Sequence, residues 1–290
     1  MSKYVRVIPR LDIKGPNLVK GIHLEGLRVL GKPDHYARHY YESFADELIY
    51  MDVVASLYNR NSLHDMIVKT SREIFIPLTV GGGLRTLDDI KNVLRAGADK
   101  VALNTAAIHN PDIIRQASRR FGSSTIVVSI EVMKKSDGRY LAYTDNGREH
   151  TGVEVLPWAR RVEELGAGEI LLTSIDREGT GEGFDVELTR LVSESVSIPV
   201  IACGGPGTLD HVVEAVNAGK ADAVAVASML HYHYLTHNEV EHNVDMEGNV
   251  AFLKSDSLFT KVEFTDIAGL KSHMTRNGIS CRRKDRSSTQ

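Results

Sequence analysis

The sequence predicts an α/β protein, a (β/α)8 TIM barrel built from two (β/α)4 half-barrel repeats. Three observations predict it: short apolar runs alternate with amphipathic ones, there are eight such runs, and the second half of the chain repeats the first. The runs are Val5 to Leu11, Leu48 to Met51, Pro77 to Val80, Val101 to Leu103, Thr125 to Ile130, Ile170 to Thr173, Pro199 to Ala202 and Ala223 to Val226. Between them apolar residues recur at helical spacing, as in Leu87, Ile90, Val93 and Leu94, or Val212, Val213, Ala215 and Val216. Strands buried on both faces and separated by helices form a parallel sheet, and eight such units close into a barrel. An open doubly wound sheet is the alternative topology.

The repeat favours closure. IPLTVGGGLRTLDDIKNVLRAGADKVALNTAA from Ile76 answers IPVIACGGPGTLDHVVEAVNAGKADAVAVASM from Ile198, and ADELIYMD from Ala45 answers AGEILLTS from Ala167. Each half contains four different units, so the long period does not indicate a solenoid.

At 290 residues, the length suits a single barrel. The 35 basic and 38 acidic residues leave a net charge of −3, and the one charge block is Arg282, Arg283, Lys284, so nucleic acid is not an expected partner. Cys203 and Cys281 are too few for a disulfide framework, and the N-terminus lacks the apolar stretch of a signal peptide. No run approaches the ~18 to 20 apolar residues that span a bilayer, so no membrane association and a cytoplasmic location are expected. One barrel is expected over residues 1–283, with a polar, unperiodic insertion at 231–264 after the eighth strand and a disordered tail at 284–290. The insertion carries His231, His233, His237 and His242, but irregular spacing without a nearby cysteine does not make a metal site. It is expected instead to cover the catalytic mouth or contact an acceptor enzyme. No cofactor is expected.

In a barrel of this kind, function sits where the strands end at their C-terminal side. Gly82 and Gly83 follow the third run, with Asn104 and Thr105 after the fourth; Gly204 and Gly205 follow the seventh, with Ala227 and Ser228 after the eighth. Glycines let backbone N–H groups approach an anion, and a hydroxyl with a helix N-terminus completes a cradle. One such loop also reads as a tight turn; two in matched positions point to a ligand phosphorylated at both ends. Asp12 closes the first run and Glu131 the fifth, so the two carboxylates face each other across the mouth, as a general acid and base would. The plainer reading is a strand-end acid paired with Lys14 or Lys20. Asp176, in TSIDREGTG, is a third acid with a binding or positioning role. At the opposite mouth Arg6, Glu47, Lys100 and Glu169 begin their runs with alternating sign, which by itself reads as bottom-face salt bridges.

Together these residues resemble the cyclase subunit of imidazole glycerol phosphate synthase, over about residues 3 to 230 and again from about 265 to 283. The resemblance is carried by LDIKGPNLVKG, DELIYMDVVAS, PLTVGGG, GADKVALNTAA, FGSSTIVVSIE, GAGEILLTSIDREGTGEGFD and IPVIACGGPGT. It implies a lyase of histidine biosynthesis that takes ammonia from a glutaminase bound at the N-terminal face. The ammonia converts a ribulosyl bisphosphate (PRFAR) to imidazole glycerol phosphate and an aminoimidazole carboxamide ribotide. It makes Asp12 and Glu131 the catalytic acids and recasts Arg6, Glu47, Lys100 and Glu169 as an ammonia gate. Lys20, Asp176, Gly179 and Thr180 join the two cradles as substrate contacts.

The departures from the family pattern fall in the chemistry. Glu131 stands where the family has aspartate, and one methylene can displace a carboxyl by about 1 Å, at a cost on the order of a hundredfold in rate. Arg10 stands in place of a small residue; alternation points it into the interior, where it is expected to pair with Asp12 or Glu131, lower that acid's pKa and narrow the axis. Gly15, Pro16 and Asn17 replace an acidic residue, glycine and arginine, and Glu178 replaces an aspartate. Other readings therefore stay open: a divergent paralogue that channels ammonia to a sugar amidotransferase in surface-polysaccharide synthesis, the sister isomerase, which needs no ammonia gate, or a catalytically silent scaffold.

Overall fold

The computed structural model describes residues 4–55, 63–238 and 261–283. In chain order the strands are β1 (Arg6–Lys14), β2 (Asn17–Ile22), β3 (Glu25–Gly31), β4 (Leu48–Asp52), β5 (Leu78–Gly81), β6 (Lys100–Leu103), β7 (Ile126–Lys134), β8 (Tyr140–Thr144), β9 (Glu149–Glu154), β10 (Glu169–Ser174), β11 (Val200–Cys203) and β12 (Ala223–Val226). The helices are α1 (Pro33–Glu42), α2 (His64–Ser71), α3 (Leu87–Ala96), α4 (Thr105–His109), α5 (Asp112–Phe121), α6 (Val155–Glu164), α7 (Val186–Ser193), α8 (Leu209–Asn217), α9 (Ser228–His237) and α10 (Ile267–Arg276).

Eight strands pair in parallel in the order β1, β4, β5, β6, β7, β10, β11, β12, and β12 returns to β1, which closes the barrel. Successive side chains of a strand point to opposite faces, so each barrel strand contributes to two apolar layers. Ile8, Ile49, Val127, Leu171 and Ile201 fill the interior, while Val7, Leu48, Val128, Ile170 and Val200 pack outward against the helices.

The repeat survives as geometry. Thr86 caps α3 with φ −130° and ψ 162°, and Thr208 caps α8 with φ −131° and ψ 163°. In both, the threonine hydroxyl accepts from the N–H three residues on, and the side chain there, Asp89 or His211, accepts from the threonine N–H.

Four strands lie outside the predicted eight. β1 and β7 each run on beyond the barrel into an antiparallel partner, which pairs Asp12 with Val19 of β2 and Glu131 with Tyr143 of β8. The two acids therefore do not end their strands, as the sequence suggested. They sit where each strand leaves the barrel wall. Each half thus raises one hairpin over the C-terminal mouth, and the hairpins meet: Asn146 Nδ2 donates to the Leu24 carbonyl at 3.1 Å, and Leu24, Leu141, Tyr143 and Ile175 form a small apolar cluster.

The expected insertion also needs correction at its start. Residues 231–237 continue α9, and His231 is fully buried against the barrel wall. Residues 239–260 and the expected tail at 284–290 lie outside the described residues, as does His242. His233 and His237 stack with ring centroids 4.0 Å apart, and among the described residues no three His, Cys, Asp or Glu side chains come together as a metal site. Among those residues no helix is long and apolar enough to cross a membrane.

Candidate active site

At the N-terminal mouth the four charges predicted from sequence form a closed ring. Arg6 Nη1 donates to Glu47 Oε1 at 2.7 Å and Arg6 Nη2 bonds Glu169 Oε1; Lys100 Nζ reaches Glu47 Oε2 at 2.9 Å and Glu169 Oε2 at 3.2 Å. Each carboxylate bridges both cations. Such mutual pairing compensates the cost of withdrawing the charges from water, and Glu47 and Glu169 are indeed buried.

At the C-terminal mouth the two glycine turns keep the same backbone. Gly82 and Gly204 have φ of 97° and 92°, a region that suits glycine, and added side chains would strike the Asp52 and Ser174 carbonyls. Asn104 and Ala227, which precede α4 and α9, share an unusual conformation, φ −127°, ψ −85° against φ −122°, ψ −78°. Sequence repeat has become structural repeat down to single dihedrals.

What covers the two turns differs. Gly82, Gly83, Asn104 and Thr105 line a cavity of about 270 Å³ that also reaches Ser129 and Glu131. Asn104 Nδ2 donates to the Tyr143 carbonyl at 3.2 Å, while its Oδ1 is buried without a partner among the described residues. Thr105 Oγ1 accepts from Asp145 N–H at 3.2 Å. In the other half Gly204 and Gly205 are buried beneath residues 175–183, where Gly183 N–H donates to the Gly205 carbonyl at 2.8 Å. Ser228 opens the first turn of α9 and is also buried.

Between the turns lie the acids. Glu131 is buried on β7, and its Oε2 accepts from Gly147 N–H at 2.8 Å. Burial pushes its carboxyl up to about 7 despite the pull of Arg10 and that hydrogen bond, with Asp12 and Asp145 adding repulsion. Arg10 is buried too, and its Nε donates to Asp12 Oδ1 at 2.8 Å. The expected pairing is thus with Asp12. The expected fall in its pKa does not follow: desolvation lifts Asp12 above the ordinary carboxylate range against the opposing charges of Arg10 and Lys20.

The remaining candidates separate into those near the acids and those turned elsewhere. Lys20 is buried on β2 and pairs with Glu178 rather than with Asp12, while its Nζ also donates to the Gly21 carbonyl at 3.0 Å. Lys20 holds the Glu178 carboxyl below its usual range in spite of burial. Gly179 packs on the Gly21 carbonyl, so the loop after β10 and the first hairpin are in backbone contact. Thr180 is committed locally, its hydroxyl donating to Arg177 C=O at 2.8 Å. Asp176 is exposed, accepts from Lys134 N–H at 2.7 Å, and does not line the cavity. Sequence reasoning missed Asp145, although Asp145-Asn146-Gly147 is a hairpin-turn signature, and it missed that His231 would reach the site from α9.

A closed (β/α)8 barrel with buried acids and paired glycine turns at the C-terminal ends of its strands has the features of the barrel enzymes, with that face as the candidate active site. Comparison with known proteins narrows the class. The model of the histidine biosynthesis protein family matches residues 6–236. The imidazole glycerol phosphate synthase subunit HisF of Legionella pneumophila is 62% identical over 207 residues, 71% of this chain and 98% of that protein. HisF of Alkaliphilus metalliredigens (strain QYMF) is 48% identical over 227 residues, 78% of this chain and 90% of its own length. The chain belongs to the histidine biosynthesis protein family, with HisF subunits as its relatives.

Proposed function

We propose that the protein is the cyclase subunit of imidazole glycerol phosphate synthase. It uses ammonia from a partner glutaminase to convert the ribulosyl bisphosphate to imidazole glycerol phosphate and an aminoimidazole carboxamide ribotide. The observation that carries this reading is the presence, in one HisF-related barrel, of a fully paired charged ring at one mouth and a cavity lined by a proton-holding acid at the other. Glu131 exchanges the proton, and Asp12 contributes negative charge beside it. The turn at Gly82 and Gly83, with Asn104 and Thr105, binds one phosphate; Gly204, Gly205, Ala227 and Ser228 bind the other after the loop of residues 175–183 shifts. Lys20, Asp176, Gly179 and Thr180 act through that loop and the first hairpin.

The glutaminase docks at the N-terminal face as a heterodimer, around the ring of Arg6, Glu47, Lys100 and Glu169. That face exposes Tyr4 and Phe75, 66% and 79% accessible, on segments that lead into β1 and β5. Exposed aromatics of this size suit a protein interface. A second reading, delivery of the ammonia to a sugar amidotransferase, is favoured by one observation: Arg10 occupies the Asp12 carboxylate. Incubation of the protein with ammonium and the ribulosyl bisphosphate tests the first reading. Imidazole glycerol phosphate is the expected product; its absence, together with stimulation of the glutaminase, would transfer the case to the second.

A further inference from the structure

Arg10 is held through its backbone and two of its three guanidinium nitrogens, while Nη2 is buried without a hydrogen-bond partner among the described residues. Its Nη1 reaches Thr173 Oγ1 at 3.2 Å on β10 and Cys203 Sγ at 3.3 Å on β11, so the guanidinium extends from β1 across the interior. Its carbonyl accepts from His231 Nε2 at 3.0 Å. A carbonyl can only accept, so Nε2 carries the proton and Nδ1 receives the Tyr40 hydroxyl at 2.6 Å. Burial keeps His231 neutral, with its pKa lowered to about 3. A residue fixed by these partners is part of the framework around the acids.

The charges around the mouth can be counted from their contacts. Arg10 and Lys20 are two buried cations; Asp12 pairs with the first and Glu178 with the second. These four balance. Glu131 is a further buried group, bonded to a backbone N–H and to neither cation, and it borders the cavity, whereas Asp12 does not. Cys203 and the α9 residues His231 and Tyr232 complete the interior surroundings, all uncharged, with Asp145 on the second hairpin beside Glu131. Asp52, itself buried, lines the same cavity with Arg85 and His109. An ionised Glu131 would add negative charge to a desolvated cavity that Asp52 and Asp145 already line.

We propose that Arg10 is a positioning residue that sets this balance, so that Asp12 stays a fixed carboxylate and Glu131 is the acid that exchanges a proton with the ligand. The inference rests on the active-site reading above, but its test needs no substrate. Carboxyl ¹³C resonances of the ligand-free, glutamate-labelled protein are titrated, and the Glu131 signal is assigned as the one missing from Glu131→Gln. Removing the cation in Arg10→Met raises the Glu131 midpoint by about one pH unit, and removing the anion in Asp12→Asn lowers it by about the same amount. The double variant Arg10→Met/Asp12→Asn returns close to wild type, and Arg10→Lys stays there throughout. If Arg10→Met does not fold, Asp12→Asn still decides. A midpoint that stays in place or rises in Asp12→Asn, or single shifts that do not cancel in the double variant, would overturn the proposal whatever reaction the protein catalyses.

Discussion

The two mouths of the barrel hold similar numbers of charges in opposite states. At the N-terminal mouth two cations and two carboxylates bond only within their own ring, and the count is even. At the C-terminal mouth Arg10, Asp12, Lys20 and Glu178 form a second even set, and Glu131, which shares its cavity with buried Asp52, bonds to neither cation. An even set is a fixed structure. An acid out of water and bonded to no cation keeps its proton to a higher pH, and a group that gains and loses a proton near neutrality can do acid and base chemistry.

The largest effect that sharpens this contrast is on turnover. Glu131→Gln keeps the shape of the side chain and removes its titration, so formation of imidazole glycerol phosphate from ammonium and the ribulosyl bisphosphate falls by about 10² to 10⁴-fold. A loss of only a few fold in steady-state kinetics would make Glu131 a bystander.

A smaller effect appears in stability. Below its ordinary value of 4.5, Glu131 is protonated whether the chain is folded or not; between 4.5 and about 7 only the folded protein keeps the proton. Stability therefore falls as pH rises through that window, by about 3 kcal/mol in all, and the cost persists above it. Glu131→Gln escapes this cost. Urea unfolding is expected to find the variant more stable than wild type at pH 8 and without that advantage at pH 4; a variant less stable at both would show that no proton is held.

How much of this was legible in the sequence follows the same division. The ring residues were readable because Arg6, Lys100 and Glu169 open strands, and Glu47 immediately precedes one, whose apolar runs are unambiguous, and alternation then fixes the direction of the side chain. The matched turns were readable because a repeat doubles a weak signal. The hairpins were not read. NLVKGI and EGLRVLG are short, glycine-containing and lack a clean alternation of polar and apolar residues, although the Asp145-Asn146-Gly147 turn was visible. Without the hairpins, nothing placed Lys20 against Glu178. The partner of Arg10 was narrowed to two acids by spacing, and burial, which sequence alone does not give, reversed the expected direction of the Asp12 shift.

The claim that the mouths do separable work is tested most directly by Lys100→Met in the complex with the glutaminase, with turnover measured once with glutamine and once with ammonium. Removal of Lys100 leaves Glu47 and Glu169 with only Arg6, which opens the ring and leaves the distant Glu131 untouched. Glutamine-driven turnover is expected to fall by about tenfold more than ammonium-driven turnover, a difference of about 1.4 kcal/mol in the barrier. Equal losses with both nitrogen sources would contradict the claim.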